Sequence, residues 1–233
     1  MKYIIIPARG GSKGIPNKNL KLVSGISLVG WSVIHGKHVA GSVGKVVVSS
    51  DSDEILSEAI KYGADALKRP KELSGDLVFT EPVMDHAISQ QNLNDDDLII
   101  LLQPTSPLRF KSTINSCIES VTEKKFDSSL TLRKIHLFRW KINDGNYFPL
   151  YKDRPRRQDM EEEFCETGSV YVTKYAQYKK SGIRLSGKTD GIVAQDIESV
   201  DVDSKIDLEI VRSLSKIFLE EWKPEIENLK LNL

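Results

Sequence analysis

Residues Ile4 to Asn19 read IIIPARGGSKGIPNKN, and this stretch decides the fold. Ile4, Ile5 and Ile6 form a short continuous apolar run, the pattern of a strand buried on both faces. Pro7 lacks the N–H that a sheet ladder needs. Gly10, Gly11 and Gly14 follow, accompanied by Arg9, Lys13 and Lys18. Glycine lets the backbone turn tightly and brings its N–H groups close to a ligand. Arg and Lys supply charge-assisted donors for phosphate oxygens. A buried strand that runs into a basic, glycine-rich loop suits the holding of phosphate. The order Ser12-Lys13-Gly14 excludes a Walker A loop, and the glycine spacing excludes the dinucleotide fingerprint G-x-G-x-x-G. A basic surface turn is the plainer reading. The charge distribution favours phosphate: no Asp or Glu precedes Asp51, although the chain carries 33 basic and 33 acidic residues.

At 233 residues the chain fits one large domain with room for an insertion. Balanced charge gives no reason to expect bulk nucleic-acid or membrane binding. Cys117 and Cys165 make neither a disulfide framework nor a metal spacing, which suits a reducing compartment. The three-isoleucine run is too short for a signal peptide, and no apolar run reaches membrane-spanning length. The expectation is a cytoplasmic protein.

The first half alternates strand and helix. Ser27 to Ala40 carries Leu28, Trp31, Ile34, His35 and His38 at helical spacing. Lys45 to Ser49 reads as a buried strand, and Ser52 or Asp53 is placed to cap a helix ending at Gly63. Ala64 to Leu67 is a short strand. Thr80 suits the N-cap of a helix over Val83 to Gln91, and Leu98 to Leu102 (LIILL) is a strong buried strand. Lys111 to Glu123 reads as helix and Ser128 to Leu132 as strand. This rhythm predicts an α/β fold with a mostly parallel twisted sheet and helices on both faces. Ligands then bind at the carboxyl ends of the strands, where the basic loop, Asp51, Arg69 and Gln103 fall. The rhythm breaks at Arg133. Residues 133–165 read as an inserted excursion between two parts of one catalytic domain, 1–132 and 166–233. Its aromatics Phe138, Trp140, Tyr147, Phe148 and Tyr151 lack a core of their own, which suits an interface. Ser169 to Val172 and Ile197 to Val202 read as strands, and Ser204 to Glu221 as the last helix.

Asp201-Val202-Asp203 is the second chemical constellation. On a strand, Asp201 and Asp203 would share one face and repel unless a cation or donor lay between them. Magnesium takes one or two carboxylates, waters and substrate phosphates. The alternative is an acidic turn with Asp203 capping the last helix. Beside a phosphate loop the metal reading is the better one. The run Arg154-Pro155-Arg156-Arg157 suits a solvated surface, a nucleic-acid patch or a site for an acidic small molecule.

Ala8 to Asn19 (ARGGSKGIPNKN) resembles the signature of the CMP-sialic acid synthetases. VVVSSDSDEI, LLQPTSPLR, FRW, RPRRQD, ETGSVY and VDVDSKIDL extend the resemblance over nearly the whole chain. The family usually has Asn-Gly where this chain has Thr167-Gly168. The resemblance implies a nucleotide-diphospho-sugar transferase-like fold. It implies a reaction in which CTP and a nine-carbon 2-keto-3-deoxy sugar acid give a CMP-sugar and pyrophosphate. Ala8, Arg9, Gly11, Ser12, Lys13, Lys18, Asn19, Arg69 and Thr80 would bind CTP. Gln103, Arg157, Tyr171 and Lys141 (or Arg139) would bind the sugar. Asp201 and Asp203 would hold Mg2+, and with Arg9 and Lys13 they would carry catalysis. The excursion would make a homodimer and reach the neighbouring site. An Asp-x-Asp glycosyltransferase, a KDO cytidylyltransferase and a non-catalytic nucleotide-binding regulator are the alternatives.

Overall fold

The computed structural model describes residues 1–230. The chain begins with β1 (Lys2–Pro7), passes the glycine loop, and forms a small hairpin of β2 (Leu22–Val23) and β3 (Ile26–Ser27). Then come α1 (Leu28–Ala40), β4 (Lys45–Ser50), α2 (Asp53–Lys61), β5 (Asp65–Lys68), α3 (Thr80–Ile88), β6 (Leu98–Leu102) and α4 (Lys111–Thr122). β7 (Ser128–Ile135) leads into a hairpin of β8 (Trp140–Asn143) and β9 (Asn146–Pro149). The chain returns as β10 (Glu163–Lys174), then α5 (Tyr175–Ser181), β11 (Thr189–Val193) and α6 (Lys205–Lys230).

Seven strands form one sheet in the order β11-β7-β10-β6-β1-β4-β5. All neighbours are parallel except β10, which runs antiparallel to both β6 and β7. Side chains alternate across a strand, so β1 feeds both faces. Ile4 and Ile6 pack with residues of α1, α2, α4 and α6. Tyr3 and Ile5 pack with Met84, Ala87 and Ile88 of α3 and Tyr178 of α5. The isoleucine run is continuous because neither face of its strand meets water. α1 is buried nearly all round. Gly36 lets it lie close to the sheet, since a Cβ there would sit 3.0 Å from Val46 Cγ1 and 3.2 Å from Ile4 Cγ2.

Several boundaries differ from the sequence reading. Ser52 caps α2, its hydroxyl accepting from Ile55 N at 3.4 Å. Thr80 is the first residue of α3 and Phe79 precedes it without a side-chain bond, so Thr80 is not a cap. Residues Asp196–Ser199 form a 3-10 turn where a strand was expected. The edge strand is β11 instead, which has no apolar run to announce it. α6 continues past Pro224. Trp222 Nε1 donates to the carbonyl of Arg109 at 2.8 Å, and Glu225 pairs with His38 and Lys111, so both sides of the proline are held.

The excursion departs from a ribbon in which Ile135 still faces Glu163. The β8–β9 turn uses Asp144 (φ 47°) and Gly145 (φ 76°), the left-handed pair that suits a two-residue hairpin. Phe138 and Trp140 each pack edge-on against Tyr151, and the Arg154 guanidinium covers Phe138 at 4.5 Å from the ring centre. Trp140, Tyr147, Phe148 and Leu150 remain exposed. No helix is long and apolar enough to cross a membrane among the described residues.

Candidate active site

β1, β4, β5 and β6 all run the same way, so their carboxyl ends open on one side of the sheet. There the glycine loop folds back. Ala8 N donates to Ser49 O at 2.9 Å, adding one rung to the ladder with β4. Gly10 N donates to Asp51 Oδ1 at 2.9 Å, so the acid at the exit of β4 anchors the loop. Asn19 is buried and its Nδ2 donates to the carbonyl of Arg9 at 2.9 Å, bracing the turn from behind. These contacts are local consequences of the sequence: two strand exits lie side by side, and small residues allow them to touch.

The loop is also fitted to the acidic segment. A Cβ on Gly14 would lie 2.4 Å from the Asp203 carbonyl oxygen. Val202, fully buried, donates its N–H to Thr105 O at 2.8 Å, which fastens the segment to the exit of β6. Asp201 and Asp203 therefore flank a buried residue and both face outward. Asp203 Oδ1 is 3.0 Å from Lys18 Nζ, while Asp201 Oδ1 accepts from Ser106 Oγ at 3.3 Å. Asp203 does not cap α6. Ser204 does, exchanging bonds with Asp207, whose carboxyl is held below its usual range chiefly by the Ser204 hydroxyl.

A cleft of about 370 Å³ lies between the loop, the segment 73–80 and the exit of β6. Arg9, Ser12, Lys13, Lys18, Asn19, Arg69, Thr80, Gln103 and Asp203 all line it. Ala8 and Gly11 do not, and neither does Asp201. Arg69 is the most telling wall. It is 5% exposed, and among the described residues its Nε and Nη2 have no hydrogen-bond partner. Burial pushes its pKa down, against a favourable contribution from Asp51. An uncompensated buried guanidinium is costly unless a ligand supplies acceptors. Gly14→Ala should disrupt this arrangement at its closest contact. The collision moves the loop or the Asp203 segment, and a displacement near 1 Å in a catalytic constellation can cost about 100-fold in rate. Melting temperature within a few degrees of wild type, with turnover reduced, is the expected pair of readings.

Gln103 is held by a buried cation. Arg109, 1% exposed, donates Nη2 to the Gln103 and Ser169 carbonyls and Nε to Ser169 Oγ. Its pKa is pushed down to about 9 by burial. Arg109 was not singled out by the sequence reading. It thus ties β6 to β10 behind the cleft. Gly168 (φ 74°) occupies the left-handed region beside it, and Thr167 is buried with its hydroxyl 2.6 Å from Thr131 Oγ1. The Asn-to-Thr departure therefore points into the fold.

The three remaining sugar candidates lie elsewhere in this chain. Tyr171 is 4% exposed within the second core cluster; its hydroxyl donates to Glu166 Oε2 at 2.8 Å and Arg184 covers its ring. Arg157 stands in a 3-10 turn (Arg157–Asp159) and Lys141 on β8, both exposed and neither lining the cleft. Arg139, the substitute candidate, pairs with Glu163 within the excursion.

Asp203 fits magnesium in its chemistry, whereas Asp201 lies outside the cleft lining with its carboxylate accepting from Ser106. Asp203 presents an exposed carboxylate to the cleft, and among the described residues no group of three or more His, Cys, Asp or Glu forms a metal cage. That suits an ion which takes one or two carboxylates and finds its other oxygens on substrate and water.

The fold is that of the nucleotidyltransferases. The solved structure of CMP:2-keto-3-deoxy-manno-octonic acid synthetase complexed with CTP superposes with a TM-score of 0.66 at 17% identity, covering 94% of this chain and 99% of that one. A 2-C-methyl-D-erythritol 4-phosphate cytidylyltransferase from Francisella tularensis gives 0.64 at 14% identity, covering 89% and 96%. Residues 3–163 match the family described as cytidylyltransferase. N-acylneuraminate cytidylyltransferase A of Danio rerio is 34% identical over 236 residues, covering 97% of this chain and 54% of the fish protein. Pseudaminic acid cytidylyltransferase of Campylobacter jejuni is 30% identical over 224 residues, covering 91% of this chain and 95% of the bacterial protein. The chain thus spans about half the length of the fish relatives and nearly all of the bacterial one. It belongs to the cytidylyltransferase family, in the group of the CMP-sialic acid synthetases.

Proposed function

We propose that the chain is a CTP-dependent cytidylyltransferase that activates a nonulosonic acid, a nine-carbon 2-keto-3-deoxy sugar acid of the sialic type. One observation carries this reading: Arg9, Lys13, Lys18 and the unpaired Arg69 converge on a single cleft that Asp203 also borders. Relatives named for N-acylneuraminate and pseudaminic acid, at 30% identity or more, support the sugar class over KDO. An Asp-x-Asp glycosyltransferase is disfavoured because the basic loop offers more cationic groups than a diphosphate sugar needs.

In the reaction the anomeric hydroxyl of the sugar attacks the α-phosphorus of CTP. A new oxygen–phosphorus bond forms, the bond to the β-phosphate oxygen breaks, and pyrophosphate departs while the hydroxyl proton passes to solvent. Little covalent work falls to the protein, so positioning and charge neutralisation carry catalysis. Arg9, Ser12 and Lys13 hold the triphosphate, and Lys18 keeps Asp203 oriented. Ala8 and Gly11 shape the loop, and Asn19 fixes the Arg9 carbonyl. Arg69 and Thr80 face the base. Gln103, held by Arg109, reads the sugar. Asp203, with Asp201 beside it, would hold Mg2+, and the ion would supply polarisation of the α-phosphate and a lower pKa for the attacking hydroxyl.

The reading extends to a homodimer. Arg157 and Lys141 lie on the excursion, whose exposed Trp140, Tyr147 and Phe148 need a partner surface. In the proposed arrangement they reach the neighbouring site and bind the sugar carboxylate there. Mixing subunits tests this. Arg157→Ala and Asp203→Asn chains should each be nearly inactive, while a heterodimer has one site with both defects and one with neither. Activity should return toward half of wild type per heterodimer. Exchange of subunits without recovery would show that the excursion serves its own site. A panel of N-acetylneuraminate, its deaminated relative, legionaminate and pseudaminate, each with CTP and followed by pyrophosphate release, identifies the acid. No release with any of them would contradict the proposed function.

A further inference from the structure

Two of the cations assigned above to the triphosphate already hold an anion, and it belongs to the chain itself. Asp76 Oδ1 lies 2.5 Å from Arg9 Nη1, and Asp76 Oδ2 lies 2.5 Å from Lys13 Nζ. The carboxylate thus bridges the basic loop from the opposite wall of the cleft, in the segment between the 3-10 turn Lys71–Leu73 and α3. The Lys13 bond, then the Arg9 bond, hold its pKa below the usual carboxylate range. No packing fixes this bridge. The Asp76 side chain is 36% exposed and that of Lys13 82%, and the flanking Leu77 and Phe79 are exposed as well.

We propose that Asp76 is a selectivity determinant of the cleft, an internal anion with which a polyphosphate chain must compete for Arg9 and Lys13. This rests on the triphosphate reading above. A ligand that needs both cations must first displace the carboxylate, so its apparent affinity falls by the fraction of protein in which the bridge is open. A ligand that uses only the base-facing wall, Arg69 and Thr80, bears no such cost. Small single anions gain too little to displace a two-pronged bridge, whereas a di- or triphosphate presents enough oxygens to replace both contacts. Asp76 therefore discriminates by length of the phosphate chain, and its exposed position lets the exchange occur without unfolding any regular element.

The test is calorimetric titration of wild type, Asp76→Asn and Asp76→Ala with pyrophosphate, CTP and cytidine, first in chelator and then with magnesium. Exposed ion pairs are modest in strength, so removing the bridge should tighten pyrophosphate and CTP by a common factor of roughly 3- to 10-fold. Cytidine affinity should stay unchanged. The gain should shrink as salt rises, since screening weakens the bridge in wild type. Unchanged or weaker pyrophosphate binding in both variants would overturn the proposal, because Asp76 would then be propping the cations or assisting a metal. Equal tightening of cytidine would also overturn it, because the segment would then be opening generally. Pyrophosphate binding to none of the three proteins would instead contradict the triphosphate reading, and the proposal with it.

Discussion

Lys13→Ala is expected to lower turnover by roughly 30- to 1,000-fold while leaving the fold intact. The side chain is 82% exposed and its ammonium pairs with Asp76, so little packing is lost. Its effect belongs to the substrate-filled site, where one charge-assisted contact to developing phosphate charge is worth about 2–4 kcal/mol of barrier. The fall should appear mainly in kcat. The melting temperature should match wild type. Wild-type turnover in this variant would remove the phosphate-loop assignment.

Asp203→Asn is the second substitution with a large expected effect. It keeps the shape, and the Gly14 contact is to the backbone carbonyl, so the loop stays in place. It removes the carboxylate charge from an exposed position beside Lys18. Loss of a metal-holding carboxylate should cost at least about 100-fold, since the ion supplies several kcal/mol of transition-state stabilisation. Added magnesium should restore little. Normal activity and normal magnesium dependence would show that Asp203 merely pairs with Lys18.

The N-terminal half of the fold was legible because its signals are local. LIILL and III can satisfy both faces of a buried strand, and Ser52 precedes an apolar helical period. The basic loop, Arg69 and Gln103 fall at strand exits and are legible from that, whereas Thr80 reads only as a helix cap and enters the site through the family resemblance. The far half hid its structure in tertiary contacts. β11 contains Gly191, whose missing Cβ makes room for Leu132 Cδ1, which would lie 2.3 Å from a Cβ there; an apolar run would not fit. Val200 and Val202 alternate with acids as in a strand, yet the segment follows a 3-10 turn and is tied to β6's exit by the Val202 N–H donating to Thr105 O and by Ser106 Oγ donating to Asp201. Tyr171 falls to the sugar by the family resemblance, but in this chain its hydroxyl is satisfied by Glu166 five residues earlier in the same strand, across a bulge that sequence does not display. Asp76 carries no motif. Its meaning comes only from the two cations that the fold brings to it. Arg109 likewise looks like the tail of a proline-rich turn until its donors are seen to join β6 and β10.

The central claim is transfer of a cytidylyl group onto a sugar acid. Its most direct test is mass spectrometry of a reaction holding this chain, magnesium, one nonulosonic acid and each of the four nucleoside triphosphates in turn. The account predicts a CMP-sugar and an equal amount of pyrophosphate from CTP, both lost in Lys13→Ala and Asp203→Asn. A product formed equally from any triphosphate, release of orthophosphate in place of pyrophosphate, or no CMP-sugar from any acid would contradict it.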